Sequence, residues 1–182
     1  MLYISIAIIL IIIILYTILT YNTLAKLKIR VNEAFSTMDI YLKKRWDLIP
    51  NLTEIVKEYA KHEKELFTSI TKIRTSSYES MSFTDKMDKN NEINETLNKM
   101  MLIAENYPEL KASENFINLS NELSKIEDEI ASSRKYYNAT IRNLNNKIVT
   151  FPSSIVAKIF HFEKQKMYEI NFYEKQNSSI NI

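Results

Sequence analysis

His62 and His161 are the only imidazoles in the chain, and they lie far apart in the sequence. Glu58 precedes His62 by four residues, a spacing that puts both side chains on one face of a helix. Such a pair offers two metal ligands. A zinc site needs three or four, and no His-Glu-x-x-His segment supplies more. Nor does a Glu-x-x-His segment recur on two helices, as the di-iron sites of helical bundles require. A surface hydrogen bond is the simpler account of Glu58 and His62. Without cysteine there is no thiol nucleophile, thiolate ligand or disulfide, and without glycine neither Gly-rich phosphate-cradling loop can form. These residues predict no catalytic, cofactor-binding or metal site, hence no enzyme. The competing class, a hydrolase or metal enzyme, would need a polar cleft or an ordered ion that no motif announces.

Arg45 and Asp47 are the sharper candidates, because they stand beside Pro50 and Asn51. A charged pair at a helix turn can bind a ligand or a partner. The favoured alternative is that Asp47 caps a helix starting near Pro50, while Arg45 pairs with a carboxylate across the fold and fixes register. Arg134, Tyr136, Tyr137 and Asn138 form a second cluster, and polar groups near a packed seam more often satisfy one another than bind substrate. Lys26, Lys28 and Arg30 form a third. Basic residues number 24 against 22 acidic, with no block of one sign, which argues against a nucleic-acid partner. No small-molecule substrate is evident.

These groups are positioned first of all by Leu2 to Tyr21, twenty residues without a charge, of which eight of the nine from Ile6 to Ile14 are isoleucine or leucine. As a helix the run is about 30 Å long, the thickness of a bilayer's hydrocarbon core. A cleaved secretory signal would need a basic leader, a shorter apolar stretch and a small-residue cleavage site, and Tyr16, Thr17, Thr20 and Tyr21 stand where that site should be. The run is expected to be an uncleaved anchor. The cations Lys26, Lys28 and Arg30 on one flank, against none on the other, predict an N-terminus outside and a body in the cytoplasm.

The rest of the chain predicts helices. A β-rich fold of this length is hard to build without glycine for its turns. Leu24, Leu27, Val31, Ala34, Met38 and Tyr41 form a stripe, widened by Phe35, Leu42 and Ile49, on a helix running on from the span. Asp39 and Lys43 are expected to pair on its exposed face. Arg45 falls where the next stripe position should be, and Pro50 predicts a turn or kink over 47–51, compactness favouring an antiparallel hairpin. A second stripe follows in Leu52, Ile55, Val56, Tyr59, Leu66, Ile70 and Ile73, with Lys61 and Glu65 paired outside. Residues 75–91 read as a loop or frayed end. Ile93, Leu97, Met100, Met101 and Ala104 mark a short third helix, ended by Tyr107 and Pro108.

The fourth stripe is the strongest. Phe116, Leu119, Leu123, Ile126, Ile130, Ser133, Tyr137, Thr140, Leu144 and Ile148 follow a near-unbroken heptad on a helix about 54 Å long, with Ser113 as its N-cap and Pro152 as its end. Ser153 or Ser154 is expected to cap a short last helix carrying Ile155, Val156, Ile159 and Phe160 on one side. The division is an anchor at 1–21, a helical body at 22–162 and a tail at 163–182, partly disordered, in which Ile170, Phe172 and Tyr173 mingle with charges.

Several segments in order resemble the bacterial LemA family: Tyr21-Asn22, Arg30 to Phe35, Leu42 to Leu52, Tyr59 to Glu63, Ala104 to Ala112, Ser133 to Asn138, and Phe151-Pro152. The resemblance covers about residues 1 to 162. It implies a single-pass inner-membrane protein with a cytoplasmic, antiparallel up-and-down four-helix bundle, and it implies no reaction. The family often has glycine where this chain has Glu58 and His161, and Trp46 is an unusual residue before Asp-Leu-Ile-Pro, which bears on local turn geometry. The expected function is a membrane-anchored scaffold acting through protein contacts, with the bilayer as one partner, a second copy of the chain as another, and an unidentified protein as a third. A membrane-remodelling or stress-response protein acting on lipid is the alternative, permitted by the segment from Ile155 to Phe162 with Lys158, Lys164 and Lys166 nearby.

Overall fold

The computed structural model describes residues 1–61, 68 and 77–168. Among these the secondary structure is helical, with no strand. Helix α1 covers Leu2–Tyr59, a 3-10 turn Tyr78–Ser80, α2 Phe83–Asn106, α3 Pro108–Lys111, α4 Glu114–Val149 and α5 Ser153–Ile159. The described residues fall into two compact units, one of Met1–Thr37 with Ser133–Tyr168 and one of Met38–Ser132. Glu65 and His62, the partners expected for Lys61 and Glu58, the stripe members Leu66, Ile70 and Ile73, and the tail residues Ile170, Phe172 and Tyr173 lie outside the described residues.

Helix α1 begins with the uncharged run, and no residue of its most apolar window is buried. That stretch is long and apolar enough to cross a membrane. Burial starts at Thr20 and Leu24 and then recurs at helical spacing through Val31, Ala34, Met38, Leu42, Arg45, Ile49, Leu52, Val56 and Ala60. Of the turn or kink expected at 47–51, the turn is not there: α1 continues through Pro50 to Tyr59. An interior proline costs a helix about 3 kcal/mol through its missing amide and its clash with the preceding turn. Ile49, Leu52 and Val56 all enter the unit's core, and burying each is worth about 1.5–3 kcal/mol, so the stripe outweighs the proline. Arg45 is therefore a polar member of an unbroken seam and does not mark its end.

In the second unit that core adds Ile93, Leu97, Met100 and Ala104 of α2, Leu110 of α3, and Phe116 and Leu123 of α4. Helix α2 is 24 residues long and starts well before the expected short third helix. The signal for its start is local. Ser82 and Asp85 form a capping box, the Asp85 amide donating to the Ser82 hydroxyl at 3.2 Å and the Ser82 amide donating to the Asp85 carboxylate at 3.1 Å. The Ser82 hydroxyl also donates to that carboxylate at 2.6 Å, and these bonds hold it below its ordinary carboxylate range.

In the first unit α1 contributes Leu24, Val31 and Ala34, α4 contributes Tyr137, Ile141 and Leu144, and α5 contributes Val156 and Ala157. Every member of the fourth stripe is buried except Leu119 and Ile148, which are half-buried. Ser153 does not cap α5. Its hydroxyl lies 2.7 Å from the Lys147 carbonyl and 2.8 Å from the Thr150 carbonyl, so it satisfies the end of α4 instead. Val156 is buried while Ile155, Ile159 and Phe160 are exposed, so the four do not share a side as expected.

Helix α5 ends in a Schellman motif. The His161 amide donates to Lys158 and the Phe162 amide to Ala157, with His161 at φ 55°. This is one of the two positions where glycine was expected of the family, and a side chain in that conformation costs about 1–2 kcal/mol. Glu58, at the other, is ordinary helix. His161→Gly should therefore stabilise the first unit by about 1 kcal/mol, read as a raised melting temperature, whereas Glu58→Gly should lower it.

Candidate functional site

Arg45 is fully buried at the centre of a polar network inside the second unit. Its Nη1 donates to Asn94 Oδ1 of α2 at 2.7 Å and to Glu127 Oε1 of α4 at 2.6 Å. Its Nη2 reaches the Asn90 carbonyl at 3.4 Å. Nε makes no hydrogen bond among the described residues. The guanidinium is thus turned inward and one carboxylate, 39% exposed, balances it. Both terminal guanidinium nitrogens are thus engaged by protein acceptors.

Asp47 does something other than capping. Its carboxylate accepts from Lys43 at 2.7 and 2.9 Å, one turn back on the same exposed face. Such a surface pair contributes a few tenths of a kcal/mol. Asp47→Ala should change the melting temperature by no more than about 1 °C. The expected pairing of Asp39 with Lys43 is displaced as well. Asp39 accepts from Lys86 at 2.7 Å and from the Tyr78 hydroxyl at 2.7 Å, which frees Lys43 for Asp47. Pro50 and Asn51 lie within α1, Pro50 half-buried and Asn51 exposed.

Tyr78 lines an open groove of about 440 Å³ with Asp39, Ile40, Lys43, Lys44, Glu79 and Lys86. Its ring stands 5.5 Å from Trp46, and Lys86 lies 4.5 Å over its face. Burial first, and then the hydrogen bond to Asp39, push the phenol well above its ordinary range. Tyr78 therefore stays protonated as a donor to Asp39 and is unsuited to act as a base near neutral pH. Sequence reasoning missed this cluster, since Tyr78 and Lys86 lie in a stretch read as loop. No three His, Asp or Glu side chains converge on a metal-sized site among the described residues.

The second cluster splits. Tyr136 is exposed, whereas Tyr137 is buried, its ring 6.0 Å from Phe35 and its phenol pushed up by burial. Arg134 stacks its guanidinium 4.5 Å over the Tyr168 ring. The Asn138 amide donates to the Tyr168 carbonyl at 2.9 Å and accepts from the Tyr168 amide at 2.8 Å. Asn145 does the same for Gln165, at 2.9 Å each way. Residues 163–168, expected to be part of a disordered tail, thus run antiparallel along α4, gripped by two carboxamides. Lys26, Lys28 and Arg30 are exposed on α1.

A family model described as the LemA family matches residues 34–182. Protein LemA of Metamycoplasma hominis is 26% identical over 154 residues, covering 84% of this chain and 68% of its own length. Magnetosome proteins MamQ 2 and MamQ 1 of Paramagnetospirillum magneticum are each 21% identical over 175 residues, covering 82% of this chain. The match spans 64% of each magnetosome protein, slightly under two thirds of its length. None of these names states a reaction.

Proposed function

Because the chain belongs to the LemA family, we propose that it is a single-pass, membrane-anchored helical scaffold that works through protein contacts and associates with copies of itself. The observation that carries this reading is helix α1, which passes without a break from an exposed apolar run into a buried seam. An anchor joined in this way holds the body and does not merely tether it. Arg45 and Asn138 are engaged internally, which favours contact over catalysis.

In the same reading the anchor is 1–21, the body 22–162 and the tail 163–182, with the body on the cytoplasmic face of the inner membrane and the N-terminus outside. An antiparallel up-and-down four-helix bundle is its finer fold, supported by the shared core of α1, α2 and α4 and by Arg45 bridging all three. The test is the particle size of the intact chain extracted in mild detergent. A protein mass that is a multiple of the 21.5 kDa monomer, once bound detergent is subtracted, supports self-association. A particle that stays monomeric as concentration rises overturns it.

A further inference from the structure

Phe151 is 77% exposed, Ile155 53% and Ile159 62%, whereas Val156 and Ala157 between them are buried. Ile155 and Ile159 are four residues apart and share the outward face of α5. Large apolar side chains left exposed this close together in the chain mark a partner, and their depth identifies which. Leu2 to Tyr21 is about 30 Å of helix, so when that run spans a bilayer Tyr21 stands at the headgroup boundary, the level where tyrosine is enriched. The Tyr21 ring lies 4.8 Å from the Phe160 ring and 5.7 Å from the Phe162 ring. Phe160 directly follows Ile159, and α5 is only about 10 Å long, so Ile155 and Ile159 lie within about 10 Å of that level. Lys158, Lys164 and Lys166 are exposed beside it.

The geometry points to a second membrane contact: Phe151, Ile155 and Ile159 enter the boundary between headgroups and acyl chains, with Lys158, Lys164 and Lys166 set against anionic headgroups. Apolar burial and attraction to anionic lipid are the two terms that hold an interfacial helix. The inference rests on the reading of Leu2 to Tyr21 as a membrane span. It gives the chain two points of attachment, one through the bilayer and one in its surface.

The absence of native cysteine makes the test direct. Full-length Ile155→Cys, Ile12→Cys and Leu102→Cys, each labelled with a polarity-sensitive fluorophore, are reconstituted in phosphatidylcholine–phosphatidylglycerol vesicles with and without brominated acyl chains. Leu102, exposed in the second unit, is the aqueous control. Labels at 155 and 12 should emit to the blue of the label at 102 and lose most of their emission to bromine. A label at 155 that behaves like 102 while 12 is quenched overturns the second contact and leaves the anchor standing. A blue-shifted label at 155 that bromine does not quench shows a protein cover, such as a second copy, and also overturns it. An unquenched label at 12 removes the anchor reading itself. Ile159→Cys repeats the measurement should labelled Ile155→Cys melt early.

Discussion

Glu127→Ala should lower the stability of the protein by about 3 kcal/mol, the low end of the 3–5 kcal/mol typical when one partner of a buried ion pair is removed. Arg45 has no exposed surface, so without Glu127 its guanidinium would keep only the neutral acceptors Asn94 and the Asn90 carbonyl. Glu127 is itself 39% exposed, and water entering where it stood moderates the cost. The melting temperature in detergent should fall by roughly 6–12 °C. Arg45→Met should be milder, at about 1 kcal/mol, because methionine fills a seam position and the orphaned Glu127 can turn to solvent. The double variant should then be no less stable than Arg45→Met alone. The reverse order of severity would show that the pair is not the reason Arg45 is tolerated. A variant that melts normally yet loses a binding partner would show that Arg45 works outward.

Asn138→Leu should release residues 163–168 from α4. It removes the two hydrogen bonds to Tyr168, worth about 1 kcal/mol each, and loosens the Arg134 contact with the Tyr168 ring, worth about 0.5–1 kcal/mol. The loss of about 2–3 kcal/mol is local, so the melting temperature is a poor readout. Trypsin cleavage after Lys164 and Lys166 is a good one, and it should quicken roughly 30- to 150-fold if opening is fast relative to cleavage. Unchanged cleavage would mean that the segment is held by something other than the asparagines.

Much of this architecture could be read in the residues. The fourth stripe is buried at eight of its ten positions because a heptad on a single long helix has one consistent solution. The stripe on α1 was equally plain up to Arg45, where two local rules, a charge in the seam and a proline five residues later, both argued for a stop. Both were overridden by apolar burial on the far side. The start of α2 was legible in Ser82 and Asp85, whose spacing is that of a capping box, although the scattered apolar residues around them obscured the period. The partners of Arg45 and Asp39 were not legible. Asn94, Glu127 and Lys86 come from other helices, and nothing local distinguishes them from their polar neighbours.

The grip of Asn138 and Asn145 on Gln165 and Tyr168 is a match of lengths. Seven residues of helix rise about 10.5 Å, and three residues of extended chain span about 10 Å, so two carboxamides one heptad apart meet two backbone units three apart. Both contacts are to main-chain N–H and C=O groups. Such a grip measures the chain and is blind to its letters. Most replacements at Gln165 or Lys166 should leave it intact, while inserting or deleting a single residue between Gln165 and Tyr168 should undo it. Mutational tolerance in this stretch is therefore high for spelling and close to nil for length.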